Sequence, residues 1–238
     1  MNDNDIMFFK ESFETAISVL DEYGLKIKAL YISFPEAKTN YIEIPFSSIP
    51  IDLTEVDGNI YYKQREVTIE LDYVGGFSEF RTMTTKLASY LHGKHIKAMD
   101  TTDSGFYYDG RWSIDGTKTD PVMGTVFIKG IVDPYKYELS SGSEEWLWDP
   151  FDFETGVVRE YGNVRVPGSL NVIITGTEMA VIPTIICSVA MSVNFEGKTY
   201  NLAAGTNKIY GICLKQGENA LTFSGNGIVS IDYRGGWL

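Results

Sequence analysis

The sequence is short of basic residues, cysteine and histidine, and it has no long apolar run. Each shortage removes a class of function. Lysine and arginine total 20 against 32 acids, a formal charge of −12. A nucleic-acid binder neutralises phosphates with a basic stripe. The densest basic cluster here, Lys94, His95 and Lys97, is too thin for that task, so no direct nucleic-acid binding is expected. Cys187 and Cys213 stand far apart, each in an apolar, strand-like run. Free Cys is among the most buried residue types, so buried free thiols are expected, with spacing alone leaving a disulfide open. Zinc sites pair close Cys or His ligands, and the two histidines, His92 and His95, lie far from both thiols. The stretch from Met179 to Val193 carries no charge, but it falls short of the ~20 residues a spanning helix needs. It contains Pro183 and many β-branched residues, which point to two strands meeting at a turn, and no membrane insertion is expected. The opening, Met1 to Lys10, is acidic where a secretory signal would be basic.

Catalytic signatures are missing too. There is no Gly-x-Ser-x-Gly elbow and no phosphate-cradling glycine loop. The histidines fall at the end of a predicted helix, where the dipole favours them. Acids are plentiful, but most, such as Glu70 and Asp72, fall in turns or on the polar face of a strand. A glycosidase pair needs one carboxyl with a raised pKa opposite a second, and nothing in this pattern singles one out. Neither an enzyme nor a cofactor is expected.

What is abundant is aromatic and turn chemistry: 15 Tyr, 13 Phe and 23 Gly, with 44 % hydrophobic residues. That mix favours strands separated by tight turns. Val67, Ile69, Leu71 and Tyr73 alternate with Thr68, Glu70 and Asp72, the period of a half-buried strand. Phe80, Met83, Leu87 and Leu91 recur at helical spacing, with Ser78 as a possible N-cap and Gly93 beyond the end. Phe13, Ile17 and Leu20 fit either a short helical face or irregular structure. Lys94 to Met99, Phe106 to Tyr108, Arg111 to Ile114 and Gly124 to Val132 are predicted strands, the last preceded by a polar turn over residues 115–121. Beyond a small polar stretch at 138–143, apolar alternations are broken by turns at Glu196-Gly197, Gly205 to Asn207, Gln216-Gly217 and Gly225 to Gly227. Strands are expected between them, including Tyr210 to Leu214. Such spacing indicates an antiparallel sandwich.

The expected class is therefore mostly β with minor α. Residues 1–137 form a barrel-like or α+β domain with one main helix, and residues 138–238 form an antiparallel β-sandwich. The run Glu144 to Phe153 sets Trp146, Trp148 and Phe151 among acids. Those aromatics could stack on sugar rings, or they could anchor the linker or a neighbouring subunit; packing is the favoured role.

Several segments, in order, resemble the distal tail proteins of siphophages and prophages. In the first domain they are Asp21 to Leu25, Pro35 to Pro45, Ile51 to Glu55, Tyr62, Arg65 and the Val67 strand, Leu91 to Lys94, Tyr107-Tyr108-x-Gly-Arg111, and Asp133 to Tyr137. In the second they are Ile182 to Ile185, Asn194 to Lys198, Leu214 to Leu221, and Asp232 to Leu238. The sequence departs from the family at Phe46-Ser-Ser-Ile-Pro50, where a Gly-rich turn is frequent. The resemblance implies a belt domain assembling into a hexameric ring and an outward sandwich similar to galectins or carbohydrate-binding modules. It further implies a non-enzymatic hub between the tail tube and the tail-tip and host-recognition proteins, assembled in the host cytoplasm and sited at the virion tail tip. The alternative from the residues alone is a non-catalytic carbohydrate-binding module.

Overall fold

The computed structural model describes residues 4–56, 58–73, 77–119, 123–143 and 161–238. They form β1 (Ile6–Phe9), β2 (Ile17–Ser18), α1 (Val19–Tyr23), β3 (Leu25–Ile32), β4 (Tyr41–Ile42), β5 (Ile51–Asp52), β6 (Arg65–Tyr73) and α2 (Phe77–Leu91). Next come β7 (Lys94–Asp100), β8 (Phe106–Thr119), β9 (Gly124–Val132), β10 (Lys136–Glu138) and β11 (Val164–Gly176). The chain continues with β12 (Thr184–Cys187), β13 (Met191–Phe195), β14 (Lys198–Leu202), β15 (Gly205–Lys208), β16 (Gly217–Asp232) and β17 (Gly236–Trp237). The class is mostly β with minor α, as expected. Two compact units emerge, one of Met1–Thr102, Tyr108–Tyr135 and Leu238, the other of Asp103–Tyr107 and Lys136–Trp237.

The first unit is an antiparallel sheet in the order β2-β1-β7-β8-β9-β6-β3. On β6 the alternation is realised directly: Val67, Ile69 and Leu71 are buried. On its other face Glu70 pairs with Lys28 (3.6 Å) and Asp72 accepts from the Thr125 hydroxyl (2.7 Å). The sheet curls, so that Ile6 of β1 and Leu30 and Ile32 of β3 line one small apolar cavity with Trp112. Helix α2 closes the core with Phe80, Met83, Leu87 and Leu91. It opens at Phe77, so Ser78 is its second residue and not its cap. Phe13 lies in a single 3-10 turn, Ile17 in the short strand β2 and Leu20 in α1. Phe106 to Ile114 is one strand, and it runs on through the polar residues expected to turn. Gly116 to Thr119 pair with Phe127 to Gly124 after a register shift at Ile114. Asp-Gly is the chemistry of a bulge as much as of a turn, and sequence alone does not separate the two.

Trp112 is the centre of this core. It is fully buried, its ring meets Phe8 edge-on at 5.3 Å, and its Nε1 donates to the Ile96 carbonyl at 2.8 Å. Its cross-strand partner is Gly130. A Cβ there would stand 2.6 Å from the indole Cε3, so only glycine lets the ring lie against the backbone.

In the second unit β10 pairs with β17 and with the start of β8, joining Lys136 and Tyr137 to Trp237 and Gly236. Glu138 accepts from the Trp237 indole (3.0 Å) and the Gly235 amide (3.0 Å), while Arg234 donates to the Glu138 carbonyl (2.7 Å). The sheet runs β14-β13-β16-β12-β15, with β11 also on β16. Strand β16 does not stop at Gly225 to Gly227, contrary to the expected turn. It pairs with β11 without a break from Gly217 to Val229, while on its other side Leu221 to Ser224 border β13 and Val229 to Asp232 border β12. A strand that changes partners at a bend makes the corner of a sandwich. A Cβ at Gly225 would lie 2.6 Å from that of Met191, so the bend needs glycine there.

Two other expectations invert, one of a turn and one of a strand. Gly205 to Lys208 is strand β15, started by an Asn207 side chain that accepts from the Ala203 amide and donates to the Ala203 and Gly205 carbonyls. Asn219 starts β16 with the same bonds to Lys215 and Gly217. Tyr210 to Leu214 is irregular, apart from a bridge between Leu214 and Val181. Alternation there reports burial of Ile212 and Leu214 without a ladder.

Both cysteines are free thiols. Cys187 is buried in β12, and burial raises its pKa. Cys213 is half-buried in the irregular segment, so only one of the two occupies the buried strand expected of both. At neutral pH a water-soluble disulfide reagent should therefore modify one thiol of the native protein, at Cys213, and a second only on unfolding. Equal native rates for the two thiols, followed by peptide mapping, would contradict this assignment.

Candidate functional interface: an exposed apolar ribbon

Between β3 and β6 the chain leaves the first unit's core as a two-stranded ribbon. The β3–β6 pairing continues outward through Ser33 N to Glu66 O (3.0 Å), Lys63 N to Glu36 O (2.8 Å) and Lys38 N to Tyr61 O (2.7 Å). The returning strand detours through a turn at Thr54–Val56, and pairing resumes with Leu53 N to Asn40 O (2.8 Å) and β4 against β5. Tyr62 roots the ribbon edge-on against Tyr135 at 5.9 Å. Thr54 donates its amide to Asp52 (2.9 Å), and the Thr54 hydroxyl and amide hold that carboxyl below the usual range.

The tip carries the sequence's departure from the distal tail pattern. Ser47 N donates to Ile44 O (3.1 Å), closing a turn with Pro45 and Phe46 at its centre. Proline followed by a positive-φ residue is the pattern of a type II turn, which favours glycine at the second position. Here Phe46 adopts φ 63°, a genuine outlier for a bulky side chain, which costs about 1–2 kcal/mol. Its ring is fully exposed.

Exposure is the property that marks the whole ribbon. More than half of the exposed large apolar side chains among the described residues fall between Phe34 and Tyr61. Phe34, Ile49 and Val56 are 85 %, 76 % and 78 % exposed. Exposed apolar side chains concentrated on one segment point to an interaction site. A two-stranded ribbon without a packed face is only marginally stable in water. Both considerations call for a covering surface that the chain's own first unit does not supply.

Other site residues divide as follows. Trp146, Trp148 and Phe151 lie outside the described residues. His92 accepts from the Ile114 amide at 3.1 Å. His95 sits on β7 and not at the helix end, 3.2 Å from Asp109. Among the described residues no three metal-ligating side chains come together, and no helix is long and apolar enough to cross a membrane. Hydrophobicity alone does not mark the apolar residues of Pro35 to Pro45 and Ile51 to Glu55 as surface. Three prolines, Pro35, Pro45 and Pro50, were the available signal, since proline in a strand is confined to edges.

No family model and no curated protein matches this sequence. Among solved structures, the fold is similar to that of the SPP1 Dit protein, described as a paradigm of the hub adsorption apparatus in phages that infect Gram-positive bacteria. The likeness has a TM-score of 0.66 over 99 % of this chain and 99 % of that one, at 15 % identity. Over nearly its whole length, then, this chain has the fold of a phage tail hub protein.

Proposed function

We propose that this chain is a structural subunit of a phage or prophage tail tip, in which six copies close a ring. Residues 1–137 form the ring-building domain and residues 138–238 the β-sandwich domain. The ring joins the tail tube to tail-tip and host-recognition proteins, is assembled in the host cytoplasm, and performs no catalysis. The observation that carries this reading is the ribbon: an uncovered apolar extension on a chain with the fold of a tail hub protein. A ring requires a heterologous interface that closes on itself, and a ribbon from one copy laid on the body of the next is such an interface. The bulky, strained Phe46 at its tip fits a residue selected for contact, not for its turn.

Light scattering over a concentration series, with negative-stain images of the same sample, tests the proposal. The expected result is six-fold rings in equilibrium with monomer. A protein that stays monomeric at every concentration counts against the ring.

A further inference from the structure

Arg65 opens β6 at the root of the ribbon, and its side chain shares the inward face of Val67 and Ile69. It is 4 % exposed, and its guanidinium carbon stands 4.9 Å from the ring centre of Tyr108. Nε and Nη2 are enclosed and have no hydrogen-bond partner among the described residues. A guanidinium is never neutral under ordinary conditions, and removed from water it is costly unless a carboxylate or several acceptors receive its protons. A cation–π contact satisfies none of those donors. Cross-strand Val132 adds no acceptor side chain. The isolated chain thus leaves a buried cation half-served at the base of its exposed ribbon.

We propose that Arg65 is the receiving half of an ion pair completed by a ribbon carboxylate of a second copy of this chain. The inference rests on the ring reading and specifies a contact within it. Charge favours the ribbon as donor, since residues 34–63 hold five acids against two bases. Within its own chain Glu36 is held by Lys63 at 3.0 Å, and Asp52 is engaged with Thr54. The side chains of Glu43 and Glu55 have no partner among the described residues and are free to reach a neighbour. Docking that covers the root of one ribbon with the ribbon of the next copy brings an acid to the one buried cation placed there. Because Nε and Nη2 are enclosed in the isolated chain, the pair requires the Arg65 side chain to swing from the Tyr108 face toward the docked ribbon, where a charge-assisted pair shielded from solvent replaces the ring contact. Such a pair contributes register and specificity more than bulk affinity.

The test uses the full chain. Arg65→Met keeps the apolar stem and removes the unpaired charge, so the monomer should melt at an unchanged or higher temperature. Its assembly should weaken about tenfold or more per interface. Glu43→Gln or Glu55→Gln should reproduce that loss, and combining it with Arg65→Met should add nothing further. An Arg65→Met protein that assembles as tightly as wild type overturns the inference and leaves the ring standing. A wild type that never assembles removes both. If Arg65→Met does not fold, the two glutamine variants decide alone, because they change only exposed side chains; wild-type affinity in both overturns the pair.

Discussion

Replacing Phe46 and Ile49 together by aspartate is expected to give a folded monomer that no longer forms rings. Both side chains are at the ribbon tip and fully or largely exposed, so neither contributes to the core of its own chain. Burying a Phe or Ile side chain contributes about 1.5–3 kcal/mol each. Losing both, and burying charge instead, should weaken each interface about 100-fold or more. A ring multiplies that loss around its circumference. The melting temperature should stay within a degree or two, since surface changes away from packing rarely move stability by more than about 0.5 kcal/mol. Phe46→Gly separates contact from conformation. It removes the positive-φ strain and should raise monomer stability by about 1 kcal/mol, yet it also removes the aromatic ring proposed to dock. Size-exclusion light scattering and calorimetry on the same samples read both quantities. Rings of unchanged size and affinity in the double aspartate variant would remove the ribbon from the interface.

The second large effect lies in the core. Trp112→Ala should cost about 3–5 kcal/mol, the usual range for deleting a buried large aromatic. It opens a cavity beside Phe8 and strands the Ile96 carbonyl, which now accepts from the indole N–H. Domains are stable by only about 5–15 kcal/mol, so the first unit should lose most of its margin and melt well before the second. Gly130→Ala probes the same packing from across the ladder. Its methyl would meet the indole at 2.6 Å, which forces the ring or the strand to move. Two calorimetric transitions, of which only one shifts, are expected. A Trp112→Ala protein with wild-type melting would show that the core is not organised around this residue.

Local chemistry made part of this molecule legible. The period-two run on β6 and the helical spacing from Phe80 to Leu91 each specify an element whose apolar face must be buried. The uncharged stretch around Pro183 resolves into β12 and β13, because β-branched residues and a proline oppose a helix. The sequence by itself therefore determined a mostly β chain with one main helix and turn-punctuated strands.

Pairing decided the rest. Gly225-Asn226-Gly227 and Asp115-Gly116 carry turn chemistry, and in the fold they serve as a bend and a bulge. Whether a flexible dipeptide reverses the chain or kinks it depends on which strand lies alongside. At Tyr210 to Leu214 the reverse holds: alternation is present, yet among the described residues no strand lies alongside except at Leu214. Exposure is decided at the same level. Nothing in the hydrophobicity of Phe34, Ile42 or Ile49 distinguishes them from the core residues Val67 or Ile128. They lie outside because β3 and β6 run on past the edge of their own sheet, where no layer among the described residues of the first unit meets them. Arg65 is buried for the complementary reason, since its parity on β6 turns it inward whatever its charge. Composition and period set what each segment can be, and only the three-dimensional arrangement of partners determines which apolar surface is left uncovered and which charge is buried.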